Sequence, residues 1–103
     1  MATIIKKTNN FPEGTSFHGD VVRTSKNELV RVLGYPTDST DDVDEKVQNE
    51  WQVETSEGVC GFIYDWKEYC RYKDTARIGW HIGAKNPAES RKIKVALQTA
   101  LAK

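Results

Sequence analysis

From Val47 to Thr55 the chain alternates. Val47, Asn49, Trp51, Val53 and Thr55 fall on one side; Gln48, Glu50, Gln52 and Glu54 fall on the other. A sustained period of two is that of a strand with one dry and one wet face. Ser56-Glu57-Gly58 follows as a turn, with Gly58 free to take positive φ. The return segment, Val59 to Trp66, is apolar on both faces, which places it centrally in a sheet. A hairpin of this kind commits the chain to an antiparallel sheet whose dry face must be covered by other elements.

Two helices are signalled on either side of it. Ser25-Lys26-Asn27-Glu28 is a capping box, in which the serine oxygen accepts from the Glu28 amide and the Glu28 side chain reaches back. Leu29, Val30 and Leu33 then share a face, Gly34 suits the turn that ends a helix, and Pro36 blocks continuation, so the helix runs from about Lys26 to Leu33. Near the C-terminus Asn86 is an N-cap, Pro87 fits the first helical position and Glu89 completes an Asn-x-x-Glu box. Ile93, Ala96, Leu97, Ala100 and Leu101 form the buried stripe, which leaves Ser90, Arg91, Lys92, Lys94 and Gln98 to solvent. Phe17-Gly19-Val21 marks a short strand over Ser16–Arg23, and Ile78–Ile82 marks another. Residues 1–15 carry Asn9, Asn10, Pro12 and Gly14 and read as an irregular arm, with Phe11 as its candidate anchor. The expectation is one domain over residues 1–103, of class α+β: an antiparallel sheet of about four strands with two helices packed on one face, in the order β-α-β-β-β-α.

Composition removes several functions. Fifteen Lys and Arg balance fifteen Asp and Glu, so the basic excess of a general nucleic-acid binder is missing. A small nucleotide is not excluded, because it needs only a local cluster. No segment approaches the length of a membrane span, and Met1–Lys7 holds no long apolar run of the signal-peptide kind. A cytoplasmic location follows, with Cys60 and Cys70 as reduced thiols. Neither C-x-x-C nor a metal-ligand spacing that includes His18 or His81 is present, so no metal and no cofactor are expected. The acidic run from Thr37 to Glu45 lacks the glycine and distal glutamate of a calcium loop and reads as solvated. A Cys/His pair is formally available, but neither cysteine sits at a nucleophile elbow, and Asp65 has no partner of a catalytic set; we expect no enzyme.

The segment from Trp51 to Gly83 is the candidate region, since it holds all three tryptophans, both cysteines and His81. Adjacent strand residues face opposite ways, so Tyr64 and Trp66 share one face and Asp65 and Lys67 the other. This permits two arrangements. Either Tyr64 and Trp66 are core and Asp65 and Lys67 are solvated, or the rings form a plate for a base or sugar with Lys67 near a phosphate. In Gly79-Trp80-His81-Ile82-Gly83 the flanking glycines allow close approach, and His81 points away from Trp80 and Ile82. Lys67, Arg71, Lys73, Arg77 and Lys85, interleaved with Tyr69 and Tyr72, make a local basic excess, which is either a solvated face or a receptor for an anion. The segment Lys67–Arg77 reads as a long connection able to fold over a site. The ligand-binding candidates are therefore Trp66, Lys67, Tyr69, Arg71, Arg77 and His81.

Several short blocks in order carry a resemblance. Phe17-His18-Gly19-Asp20-Val21, Asn27–Pro36, Asn49-Glu50-Trp51, Tyr64-Asp65-Trp66-Lys67 and Trp80-His81-Ile82-Gly83 resemble a group of small, largely uncharacterised phage-encoded proteins over roughly residues 16 to 85. Ala84 stands where a second glycine is usual in that group. The resemblance implies a bacteriophage accessory protein acting in the host bacterial cytoplasm. It further implies counter-defence, by sequestering a small nucleotide-type signal or by covering a host protein. The first expectation is a small anionic nucleotide-type ligand, held without turnover in a pocket shared between subunits of a homo-oligomer. The alternative is a protein–protein inhibitor of a host factor, acting through the Trp51–His81 surface.

Overall fold

In a computed structural model, which describes residues 4–103, the hairpin closes where the alternation ends. Thr55 N–H donates to Val59 C=O at 2.9 Å and Gly58 N–H to Thr55 C=O at 2.9 Å, with Gly58 at φ +84°. Six strands and two helices follow one another as β1 (Ile5–Lys7), β2 (Ser16–Ser25), α1 (Lys26–Leu33), β3 (Asp38–Ser39), β4 (Asn49–Thr55), β5 (Cys60–Tyr64), β6 (Arg77–Ala84) and α2 (Pro87–Leu101). All pair antiparallel, in the spatial order β1-β4-β5-β6-β2. β3 pairs with Asn49 and Glu50, at the opposite end of β4 from β1. The return strand β5 is central, as its two apolar faces predict.

The α+β class and the two helices agree with expectation; the strand count and order do not. The described residues hold six strands rather than about four, in the order β-β-α-β-β-β-β-α. The two additions are β1 and β3, with three and two residues. Segments this short show no period of their own and exist because β4 offers them a free edge. β1 also corrects the irregular arm over residues 1–15: Ile5 is buried and sits opposite Thr55, and Ser56 N–H donates to Ile4 C=O at 2.8 Å. Residues 1–3 of that arm lie outside the described ones.

One face of the sheet holds the core. Val22, Trp51, Val53, Ile63, Trp80 and Ile82 alternate inward and meet Leu29 and Leu33 of α1 and Ile93, Ala96 and Leu97 of α2. Each fully buried aliphatic side chain contributes about 1.5–3 kcal/mol. Trp51 and Trp80 pack edge to face at 5.4 Å, and their indole N–H groups donate to the Gly34 and Thr24 carbonyls, both at 2.9 Å. Both helix starts are capped. Asn86 Oδ1 accepts from Glu89 N–H at 2.8 Å, and Glu89 returns the bond by accepting from Asn86 Nδ2 at 2.8 Å. Ser25 Oγ likewise accepts from Glu28 N–H at 3.2 Å, but the Glu28 carboxylate is taken by Arg31 (2.9 Å) instead of reaching back. Gly34 ends α1 at φ +85°, its N–H donating to Val30 C=O.

Ser90 is not solvated but fully buried, because it stands three residues before Ile93 on the inward stripe of α2. Its hydroxyl donates to Asp20 Oδ2 at 2.7 Å, while Arg91 Nε donates to Oδ1 at 3.3 Å. The Ser90 hydrogen bond, helped by Arg91 and Lys94, holds the Asp20 carboxyl below its ordinary value of 3.8 despite burial. A group with a lowered folded pKa stabilises fully above its unfolded value, and that contribution is lost as pH falls through the folded value. Asp20→Asn is therefore expected to lower the thermal midpoint at neutral pH and to flatten its fall below about pH 4. A melting series against pH checks this; a variant whose acid limb parallels the parent's removes Asp20 from the acid transition.

Candidate binding face

Among the described residues no helix packs on the other face of the sheet. Because Ile63 points into the core, its neighbours Phe62 and Tyr64 point out, and cross-strand pairing sets Tyr64 beside His81 and Phe62 beside Gly83. The β2–β6 ladder slips between Phe17 and Val21, and the shift brings the Phe17 ring onto the His81 imidazole, stacked at 4.4 Å and 24°. His81 also approaches Tyr64 at 5.6 Å and Trp66 at 6.3 Å, and Tyr64 meets Trp66 at 6.1 Å. Phe11 packs edge to face on Phe62 at 5.5 Å. Gly83 forms part of the floor: a Cβ there would sit 3.5 Å from Tyr64 Cε1 and 3.8 Å from Phe62 Cβ. The outer rings are open to solvent, with Phe11 67%, Phe17 44% and Trp66 40% exposed.

This geometry decides between the two arrangements of Tyr64–Lys67. The one with Tyr64 and Trp66 in the core and Asp65 solvated is reversed. Tyr64 is half-buried on the bare face, Trp66 is exposed, and Asp65 is 1% exposed. Asp65 turns inward because it is the acceptor for the start of β4. Its Oδ1 takes the N–H groups of Gln48 (2.7 Å) and Asn49 (3.0 Å), and its Oδ2 takes Asn49 Nδ2 (3.4 Å) and the Tyr72 hydroxyl. Burial, and then the bond to Asp65, drive the Tyr72 hydroxyl far above the tyrosine range, so it remains a neutral donor.

Of the six expected ligand residues, Trp66, Lys67 and His81 are brought together. Lys67 Nζ lies 5.4 Å from the Trp66 ring centre, a cation–π contact. Lys67 and Tyr69 both adopt left-handed backbone conformations, at φ +53° and +51°, unusual for non-glycine residues and worth about 1–3 kcal/mol of strain each. The Lys67 turn is pinned by its N–H, which donates to Lys46 C=O at 2.7 Å. Tyr69 is 48% exposed on the same connection. Arg71 and Arg77 lead elsewhere. Arg71 lines a separate depression with Lys26 and Asn49, and Arg77 donates to the Arg23 carbonyl (3.2 Å) in a groove of about 750 Å³ along β2. The connection does not close over the rings, because Tyr72 packs on Trp80 at 6.1 Å, on the core side.

His81 is biased toward its neutral form in the free protein. Burial pushes its pKa below the ordinary histidine value, with Glu68 opposing in part. It serves as a neutral ring and hydrogen-bonding group. Burial likewise pushes the Cys60 thiol up, away from a reactive thiolate. Among the described residues no helix is long and apolar enough to cross a membrane.

No family model matches the chain, and no curated protein matches it in sequence. Phe11, Phe17, Phe62 and Tyr64 complete the ring cluster but are missing from the six expected residues. For Phe62 and Tyr64 the signal lies in their period of two with Trp66, but a strand apolar on both sides does not say which side is bare; Phe11 and Phe17 come from distant segments that no local pattern links to it. A partner surface running from Trp51 to His81 also needs correction. Trp51, Ile63 and Trp80 are all at 0% exposure, so these residues present nothing to a partner.

Proposed function

We propose that this chain is a non-catalytic binding protein that holds the ring of a small nucleotide-type ligand on its bare aromatic face and a phosphate of that ligand at Lys67. The observation that carries the reading is the contiguous set Phe17, His81, Tyr64 and Trp66, with an ammonium over its outermost ring. Aromatic faces stack on any base, at about 1–3 kcal/mol per base. An open face covers only one side of a ring, whereas pockets for small ligands bury about 70–90% of them. A second copy set against the first supplies the missing wall, which is why we favour a site shared within a homo-oligomer. Taken with the resemblance to small phage proteins, sequestration of a host nucleotide signal is the role that fits.

The test is native mass spectrometry with a panel of cyclic and linear nucleotides, followed by fluorescence titration. Trp51 and Trp80 are fully buried, so ligand quenching reports Trp66. A retained ligand of unchanged mass is expected. Trp66→Ala should weaken binding about 10–100-fold with the fold intact, and Lys67→Ala should weaken it less. With Lys67 as the cation beside the rings, added salt should weaken binding only modestly. Unchanged affinity in both variants removes the ring face from the site. The second reading is a host-protein inhibitor using the same face, favoured by the exposure of Phe11, Phe17, Trp66 and Tyr69, since aromatic anchors dominate interfaces. It predicts no nucleotide adduct and a stoichiometric host partner.

A further inference from the structure

A depression of about 200 Å³, lined by none of the ring-face residues, opens between the first turn of α1, the end of β3 and the start of β4. Two independent features mark it. The first is a pair of buried amides, Gln48 at 6% and Asn49 at 7% exposure. Asn49 Nδ2 donates to Tyr72 Oη (2.7 Å) and to Asp65 Oδ2 (3.4 Å), and Gln48 Nε2 donates to Cys70 C=O (3.2 Å). Asp65 only accepts, so it fixes which way the Asn49 amide is turned. Neither amide oxygen accepts a hydrogen bond from a described residue, yet no sealed side-chain oxygen or nitrogen among those residues lacks a partner. Each of the two oxygens therefore keeps some exposure, and both residues line this cavity.

The second feature is charge. Lys26 and Arg71 line the cavity together with Asp41 and Asp74, and none of the four is paired with a described residue. A simple anion would face two bare carbonyl oxygens and two carboxylates. A metal ion would face an ammonium and a guanidinium. A ligand carrying both charges is matched at each end, by cations for its carboxylate and by acceptors for its ammonium. The volume is room for about six or seven waters and lies below the roughly 300–1,000 Å³ of pockets for drug-sized molecules, so the ligand is small.

We propose that this cavity binds a free α-amino acid, with its carboxylate at Lys26 and Arg71 and its ammonium at the Asn49 and Gln48 oxygens. The site is independent of the ring face. Its test is an NMR titration of the full chain, reading the Asn49 and Gln48 side-chain amides, with glycine, each of the other standard amino acids, and the single-charge halves acetate and methylamine. At least one amino acid should give saturable shifts, with acetate and methylamine each at least about tenfold weaker. Arg71→Ala, which removes an exposed side chain with no bond to the fold, should weaken that amino acid about tenfold or more. Trp66→Ala should leave it unchanged. No saturable shift with any amino acid overturns the proposal, as does acetate binding as tightly as the amino acid.

Discussion

Asp65→Ala should lower the free energy of unfolding by about 3–5 kcal/mol, a large part of the stability of a domain this size. The carboxylate is 1% exposed and satisfies four donors at once, two of them the backbone N–H groups that open β4. Its removal leaves those donors without an acceptor in a place water reaches poorly, and each orphaned group costs about 1–3 kcal/mol. Asp65→Asn should cost less, because one oxygen can still accept from the amides of Gln48 and Asn49, while the new NH2 group disturbs only the Tyr72 and Asn49 side chains. Urea unfolding of the three proteins, with the slopes compared to confirm a common unfolded state, gives the ranking. Equal midpoints for Asp65→Ala and the parent would show the network to be dispensable. The same residue bears on the polar cavity, where it orients Asn49, so Asp65→Asn should bind more weakly there.

Asp65 also shows where sequence reasoning stops. A carboxylate between two aromatics on a strand reads as the wet member of an alternating pair, and that reading would hold if the strand continued. Its inward turn is set by donors sixteen and seventeen residues earlier in the chain, which no local pattern encodes. What was legible was local. The hairpin followed from a period of two, and both helices followed from caps placed at the right distance before an apolar stripe. β1 and β3 were illegible because two or three residues carry no period. The candidate site was legible in part for the same reason. Trp66 and Lys67 lie just past the end of β5, beside His81 in the middle of β6, and the three come together. Arg71 and Arg77 are as close in sequence, but the connection after Asp65 turns under the sheet to bury Tyr72, and carries them to other surfaces.

Gly61→Ala should destabilise the protein by about 3 kcal/mol, at the upper end of what one inserted methyl group costs in a packed core. The position does not need a glycine conformation; it needs the space. A Cβ at residue 61 would lie 2.4 Å from the Gly83 carbonyl oxygen and 2.5 Å from Ile93 Cδ1. One neighbour is backbone in the adjacent strand and the other a fully buried side chain of α2, so either the β5–β6 pairing spreads or α2 lifts. Ile93→Val removes the Cδ1 atom and by itself should cost about 0.5–1.5 kcal/mol. If the clash is real, the double variant should lose less than the sum of the two, because part of the room demanded by Ala has been made. The recovery should be incomplete, since the Gly83 carbonyl stays in place. Additive losses would mean that α2 does not press on β5 at this point. Gly83→Ala supplies the contrast across the same strand pair. Its Cβ would meet only ordinary contacts, 3.5 Å from Tyr64 and 3.8 Å from Phe62, so stability should change little. That methyl group would stand on the ring face itself. It is the gentler probe of whether the floor beneath Tyr64 must be flat for a ligand to stack there.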